Sequence, residues 1–200
     1  MAVLRARRHD EVDPFNDLLF NTLLIFVMLF AIALVAMNPK AKTGVIDAKA
    51  EFIITVTWPD LNPNDVDTWV QDPGGNLVWF RAREAGLMHL DRDDRGVAGD
   101  SLVVNGQTVV NPLNQEVVTI RGFAPGEYTV NLHYYDSADG LPVSAQVSVV
   151  KVNPRAQVVF YGSSNVARQG DEVTAVRFSV DSEGGVTDVN TLAKTIVQRQ

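Results

Sequence analysis

The strongest pattern along the chain is one uninterrupted apolar run near its amino terminus. Residues 18–37 contain no charged side chain, and only Asn21 and Thr22 among them are polar. At a rise of about 1.5 Å per residue, a helix of this length covers about 30 Å, the thickness of a bilayer hydrocarbon core. The run therefore predicts a transmembrane helix over residues 14–38.

Local signals mark both ends of this helix. Asp13 can act as the N-cap, and Pro14 suits the first helical position because its missing N–H costs no hydrogen bond there. Asn38-Pro39 ends the helix. Asp17 then falls in the first turn, where the helix dipole favours a negative charge.

A cleavable signal peptide is the alternative for this segment, and it would release a secreted domain lacking the first forty residues. The apolar core of a signal peptide usually runs about 7–15 residues and ends at a small-x-small site. Here the run is longer and ends in Ala36-Met37-Asn38-Pro39, a poor cleavage site, so a retained anchor is favoured.

The orientation of the helix is not decided by charge, because three basic residues lie on each side of it. A short tail followed by a large domain favours a cytoplasmic amino terminus. In a Gram-negative host, the chain would be a single-pass inner-membrane protein with a periplasmic domain.

From Glu51 onward the hydrophobic period changes to two, which is typical of half-buried strands. In one segment Tyr128, Val130, Leu132 and Tyr134 share a face, and the intervening polar residues share the other. About eight to ten strands at this spacing predict an all-β fold, an antiparallel β-sandwich. The alternating segments are EFIITVTW, DTWVQDPGGNLVWF, NGQTVVNPLNQEVVTI, FAPGEYTVNLHYYD, VSAQVSVVKV, AQVVFYG and EVTAVRFSVDSEGGVTDV.

These patterns divide the chain into five expected parts. They are a cytoplasmic tail (1–13), the transmembrane helix (14–38), a linker (39–50), the β-sandwich domain (51–190) and a carboxy-terminal tail (191–200).

Composition narrows the classes of function. The chain carries no cysteine, which excludes disulfides and thiolate metal sites. Its formal net charge is −7, and because the first 42 residues contribute +1, residues 43–200 hold −8. Such an acidic domain argues against a nucleic-acid partner. The nucleophile-elbow, P-loop and H-E-x-x-H motifs are absent, so an enzyme is not expected.

Asp17 is the main candidate for chemistry in the membrane segment. A charge at mid-bilayer costs about 2.5–3.5 kcal/mol on insertion scales, and less near the interface. Two alternatives follow: an acid in the headgroup region, or an ion site in a protein-lined cavity. Asn21 lies one turn further on the same face, which slightly favours the cavity.

The stretch Pro14-Phe15-Asn16-Asp17, followed by LLFNTLLIFVMLFAIA, resembles the membrane segment of the ExbD/TolR/MotB group of ion-driven motor subunits over residues 10–40. The resemblance implies that Asp17 carries the coupling ion, H⁺ or Na⁺, with Asn21 and Thr22 as weaker candidates. It further implies a homodimer of this helix inside a pentameric MotA/ExbB/TolQ-like polytopic membrane subunit.

The outer domain does not resemble the usual outer domains of that group. Residues 51–190 are instead similar to the YfaP-like β-sandwich family, through DVDTWVQDPGGNLVWF (65–80), LDRDDRG (90–96) and PGEYTVNLHYY (125–135). That family is of poorly known function, so the cell-envelope ligand of this domain is left open.

Acidic residues of the outer domain form a candidate calcium site, since calcium takes six to eight oxygen ligands. Gly96 would fit position 6 of an EF-hand loop, but Leu102 stands where position 12 needs Glu. The alternative is that Asp residues mark turns for local reasons. The candidate ligands are Asp65, Asp67, Asp91 and Asp93.

Trp58, Trp69 and Trp79 suggest either a carbohydrate platform or sandwich core, and their spacing on alternating strands favours core. Tyr134 and Tyr135 must face opposite sides, so only one of them is available to a ligand.

The sequence therefore predicts the axle or stator subunit of a proton- or sodium-driven rotary motor. The alternative is a membrane-anchored periplasmic module that binds a ligand or calcium and has no ion-coupling role.

Overall fold

A computed structural model of the chain describes residues 14–37 and 49–198, with the side chains of 34–37 left out. The predicted Asp13 cap, the Asn38-Pro39 stop, the tail 1–13 and most of the linker lie outside these residues. The chain divides into a unit that contains the helix and a second unit, Asp47–Gln200, called here the sandwich unit.

The first unit contains α1 (Pro14–Met37), a single helix of 24 residues. The helix is long and apolar enough to cross a membrane. The exposed fraction of its large apolar side chains between Phe15 and Ile32 is 52–71%. An exposed apolar surface of this size is typical of a segment that contacts lipid or other protein.

In the described residues of the sandwich unit, every helix or strand element is a β-strand. The strands are β1 (Phe52–Trp58), β2 (Asp65–Gln71), β3 (Leu77–Val78), β4 (Glu84–Ala85), β5 (Met88–Arg92), β6 (Ser101–Val104), β7 (Gln107–Val110), β8 (Asn114–Ile120), β9 (Gly126–Asp136), β10 (Val143–Lys151), β11 (Gln157–Val166), β12 (Glu172–Val180) and β13 (Val186–Asn190).

These strands form two antiparallel sheets packed together, which confirms the predicted fold class. One sheet has the order β11-β10-β1-β8-β5-β4, and the other has the order β13-β12-β9-β2-β3. Strands β6 and β7 form a separate hairpin around Asn105 and Gly106, whose positive φ angles of 52° and 76° suit a tight two-residue turn.

The core lies between the two sheets and follows the two-residue period. In β1 the buried positions alternate from Phe52 to Trp58, and β10 repeats the pattern from Val143 to Val149. Aromatic side chains join the sheets: the ring centroid of Phe178 lies 5.5 Å from that of Phe52 and 5.2 Å from that of Tyr128.

The second face of β9 is also buried, although its residues are polar. Asn131 is fully buried because residues 191–198 cross this face of the sheet. The amide of Asn131 donates 2.7 Å to the Lys194 carbonyl and 2.5 Å to Glu172 Oε1. The backbone N–H of Ile196 donates to the same Glu172 oxygen at 2.6 Å. The last described residues are therefore part of the sandwich unit's packing.

Candidate functional site

In the first unit, the sequence-predicted residues Asp17, Asn21 and Thr22 lie within the first three turns of α1. Asp17 is in the first turn, and Asn21 follows one turn later. The Thr22 hydroxyl donates to the Leu18 carbonyl at 2.8 Å, the ordinary way in which a helix satisfies such a side chain. The Thr22 hydroxyl therefore has a hydrogen-bond partner within the helix.

In the sandwich unit, a second candidate site forms along one edge of β2. This strand pairs with β9 from Asp65 to Gln71, but with β3 only at Val70 and Gln71. Next to this uncovered edge, the backbone N–H of Thr68 donates to Glu116 Oε2 at 2.5 Å. Glu116 belongs to β8 of the other sheet and is 1% exposed. A buried carboxylate therefore joins the two sheets at this edge.

The loop that follows β5 is pressed against the segment that precedes β2. At Gly96, φ is +64°, and a Cβ there would lie 2.8 Å from the Asn64 carbonyl oxygen and 2.9 Å from that of Asn62. Only glycine allows this backbone approach. The close approach brings Asp93 beside Asp67 and Glu116: one carboxylate oxygen of each lies within 4.8 Å of the other two.

Several acidic side chains at this edge are buried without a full set of hydrogen bonds. Each of four residues has one buried carboxylate oxygen with no hydrogen-bond partner among the described residues: Asp65 Oδ1, Asp67 Oδ2, Asp94 Oδ1 and Glu116 Oε1. All four residues are at most 8% exposed. Buried polar atoms are normally paired, so this group needs an explanation.

The pKa values reflect this environment. Burial raises the pKa of Asp65 to about 7, and the charges of Asp67 and Asp93 add to the effect. Burial likewise raises the pKa of Asp67 and takes that of Glu116 well above its ordinary value. His133 lowers the pKa of Asp67 and so opposes the effect of burial. His133 Nδ1 lies 3.5 Å from Asp67 Oδ2, which is an electrostatic contact rather than a full hydrogen bond.

We expect the free energy of unfolding of the sandwich unit, measured with a chelator present, to fall as the pH rises through this range. A carboxyl whose pKa is higher in the folded state stabilises the fold at low pH, and that contribution is lost as the pH rises through the folded pKa. For Asp65 the interval runs from 3.8 to about 7. The pKa values of Glu127 and Asp171 are lowered in the folded state. Their ionised forms therefore stabilise the fold, and that contribution to the free energy of unfolding is lost as the pH falls through their pKa values.

Urea unfolding of the whole chain in detergent, followed by tryptophan fluorescence, measures this dependence. The midpoint should be lower at about pH 7.5 than at about pH 5. A midpoint that rises over the same interval would contradict the assignment of these buried acids.

The structure brings only part of the sequence-predicted calcium set together. Asp67 and Asp93 lie in the group, and Asp65 interacts electrostatically with both. Asp91 does not join them: its carboxylate contacts His89 Nδ1 at 2.7 Å and accepts a 2.5 Å hydrogen bond from the Thr119 hydroxyl. The register of β5 against β8 shifts between Leu90 and Arg92, so simple alternation fails there.

Glu116 was not among the predicted ligands, although the sequence carries a signal for it. In NQEVVTI, the alternation that buries Val118 and Ile120 also places Glu116 on the inner face. A charged residue at an inner-face position of a strand is uncommon, because burying a charge is costly unless it is paired.

A separate cavity of about 720 Å³, lined by aromatic side chains, lies next to Asp67 of the acidic cluster. Trp69 stacks on Trp79 with ring centroids 4.4 Å apart, and Phe80 lies 4.9 Å from Trp79 and 5.0 Å from Tyr135. His133 also lines the cavity, so it contacts both the aromatic group and Asp67. The remaining lining residues are Arg168, Gln169, Gly170, Asp171, Glu172, Thr195, Val197 and Gln198.

The aromatic residues singled out in the sequence lie in different environments in the structure. Trp58 lies in the sandwich core, as predicted. For Trp69 the prediction of sandwich core is wrong: the side chain is buried (2% exposed), but it lies on the opposite face of β2 from Val66 and Val70, where it stacks on Trp79 and lines the cavity. Trp79 is only partly buried and faces the cavity. Tyr134 is fully buried, whereas Tyr135 is 43% exposed, which confirms that they face opposite sides.

Comparison of the chain with protein-family models, with curated proteins and with solved structures gives no match. The chemistry of the chain's own side chains therefore carries the functional proposal.

Proposed function

We propose that this chain is the dimeric axle or stator subunit of a proton- or sodium-driven rotary membrane motor. The sandwich unit would perform the work outside the cytoplasmic membrane. The observation that carries the proposal is Asp17, an ionisable carboxylate in the first turn of α1. No other charged residue occurs between Pro14 and Ala33.

A carboxylate at this position suits ion coupling for an electrostatic reason. A protonated Asp17 is neutral and can enter a packed interior, whereas an ionised one needs water or a cation. One charge that crosses a potential of 100 mV releases about 2.3 kcal/mol. Alternate loading of Asp17 in two copies of the chain would convert this free energy into stepwise rotation.

The surface of α1 supports a partner in the membrane. A single helix cannot enclose its own carboxylate, so Asp17 would need surrounding protein to form an ion path. The helix exposes apolar side chains over its whole described length, from Phe15 to Ile32. A pentameric MotA/ExbB/TolQ-like polytopic subunit around two copies of α1 would supply the enclosure.

Replacement of residues 14–37 by an unrelated uncharged apolar helix of equal length tests the proposal. We expect the altered chain to stay in the membrane fraction but to lose its polytopic partner, because the specific helix surface and Asp17 are gone. The measurement is co-purification of membrane proteins with the tagged chain. The unaltered chain with the same tag is the control, and equal recovery of a polytopic partner by both chains would contradict the proposal.

The aromatic cavity favours a second candidate function, a membrane-anchored module that binds a cell-envelope ligand. Clustered aromatic rings such as Trp79 and Tyr135, flanked by Arg168 and Asp171, suit a ligand with both flat apolar and polar faces. Under this candidate α1 is only an anchor, so the helix replacement would leave ligand binding and cell function unchanged.

A further inference from the structure

We infer that Asp67, Asp93 and Glu116 form a calcium-binding site at the edge of β2. The inference is independent of the proposed motor function, since it concerns the sandwich unit alone. It extends the sequence-predicted set by adding Glu116 and removing Asp91.

The geometry of the three carboxylates suits one shared ion. Calcium lies about 2.3–2.6 Å from its oxygen ligands, so two oxygens on the same ion are at most about 5 Å apart. One oxygen from each of Asp67, Asp93 and Glu116 lies within 4.8 Å of the other two. A single cation between them can therefore contact all three side chains.

Unpaired buried oxygens provide a second and independent indication of a ligand. The Thr68 N–H engages Glu116 Oε2, and Oε1 has no hydrogen-bond partner in the part of the chain that the structure describes. Asp67 Oδ2 is also buried, and His133 Nδ1 lies 3.5 Å from it, too far for a full hydrogen bond. Glu116 is 1% and Asp67 is 3% exposed, so bulk solvent does not reach these oxygens. A bound cation would satisfy these oxygens.

Basic side chains balance the negative charge of the three carboxylates only at the periphery of the cluster. Arg83 Nη1 lies 4.0 Å from Asp93 Oδ2 with 49% of its side chain exposed, and His133 lies 3.5 Å from Asp67. No ion pair among the described residues involves Glu116. Three carboxylates around one point, with no basic group between them, are the ligand set of a hard divalent cation.

Calcium suits this site better than magnesium or zinc. Magnesium requires near-ideal octahedral geometry at short distances, which three carboxylates up to 4.8 Å apart do not impose. Zinc prefers nitrogen and sulfur ligands, whereas the three closest groups here are carboxylates. Calcium accepts irregular arrangements of oxygen ligands, which suits three carboxylates contributed by different parts of the fold.

Titration of the full-length chain with CaCl₂ tests the site. The protein is kept in detergent micelles, stripped with EDTA, dialysed and measured by isothermal titration calorimetry. We expect one calcium per chain, and we expect Glu116→Gln to weaken the affinity at least about tenfold. Asp91→Asn is the matched control, because it changes a neighbouring acid that lies outside the cluster, and its affinity should stay within about twofold of the unaltered chain.

A readout of the fold separates lost binding from unfolding. In EDTA, Glu116→Gln should unfold at a temperature no lower than the unaltered chain, because the amide keeps the size of the side chain and its oxygen still accepts from the Thr68 N–H. Calcium should raise the unfolding temperature of the unaltered chain and not that of the variant. Asp93→Asn, whose side chain is 20% exposed, is a second variant that should lose affinity without loss of fold.

Four results would overturn the inference. They are no heat of binding at millimolar CaCl₂, tighter binding of magnesium or zinc than of calcium, unchanged affinity in both Glu116→Gln and Asp93→Asn, and an equal loss of affinity in Asp91→Asn.

Discussion

If the chain is the proposed motor subunit, Asp17→Asn is expected to abolish ion flux through the complex while the chain stays in the membrane with the proposed polytopic partner. Asparagine keeps the size and polarity of the side chain but cannot ionise, so it cannot carry a proton or pair with a sodium ion. The measurement uses the complex purified through a tag on this chain and reconstituted in liposomes. With an imposed membrane potential, a pH- or sodium-sensitive dye should report flux from the unaltered complex and only background leak from the variant.

Asp60→Asn is the matched control for this experiment. It makes the same chemical change at an exposed position between β1 and β2, far along the chain from the helix. We expect full flux from this variant. Flux from Asp17→Asn that equals the flux from Asp60→Asn would contradict the ion-carrying role of Asp17.

Gly96→Ala is expected to give the largest loss of stability and of calcium affinity among single changes in the loop after β5. A left-handed backbone at a residue with a Cβ costs about 1–3 kcal/mol by itself. The new Cβ would also lie within 3 Å of backbone oxygens of Asn62 and Asn64, which cannot rotate away as a flexible side chain can. The loop must then shift, and Asp93 moves with it away from Asp67 and Glu116.

Gly140→Ala separates the two causes of that loss. Gly140 has a similar φ of +70°, and a Cβ there would meet no atom within 4 Å. We expect it to lower stability through the backbone conformation alone and to leave calcium affinity unchanged. Urea unfolding and calcium titration of both variants make the comparison. Equal effects of the two substitutions on calcium affinity would show that the approach of the loop to Asn62 and Asn64 does not position Asp93.

Local patterns in the sequence predict much of the fold because they follow from local physics. The apolar run predicts α1 to within one residue of its observed end at Met37. The two-residue period predicts β1 and β10, since one side of each strand faces the core. The Asp-Pro-Gly-Gly turn between β2 and β3 is likewise predicted by residue types that favour turns.

Other elements depend on contacts that a local pattern does not contain. Strands β4 and β5 are short, and the bulge within β5 interrupts alternation where a strand would otherwise be recognised. The buried polar face of β9 depends on residues 191–198, which are about sixty residues away in sequence and carry no strand pattern. Long-range packing, rather than propensity, decides these features.

For the candidate calcium site too, local sequence patterns predict some ligands, whereas one ligand depends on long-range packing. The sequence predicts Asp67 and Asp93 as ligands because acidic residues cluster near them. It fails to join them to Glu116, since that contact requires β8 of one sheet to meet the uncovered edge of β2 in the other. Only the packed sandwich makes the inner-face glutamate a partner of those two aspartates.

Native mass spectrometry of the detergent-solubilised complex, purified through this chain from its host membrane, tests the central claim most directly. That claim is that the Asp17 carboxyl is enclosed by neighbouring subunits. We predict a single assembly that holds two copies of this chain and five copies of a polytopic membrane protein. One copy of this chain without any polytopic subunit would contradict the account.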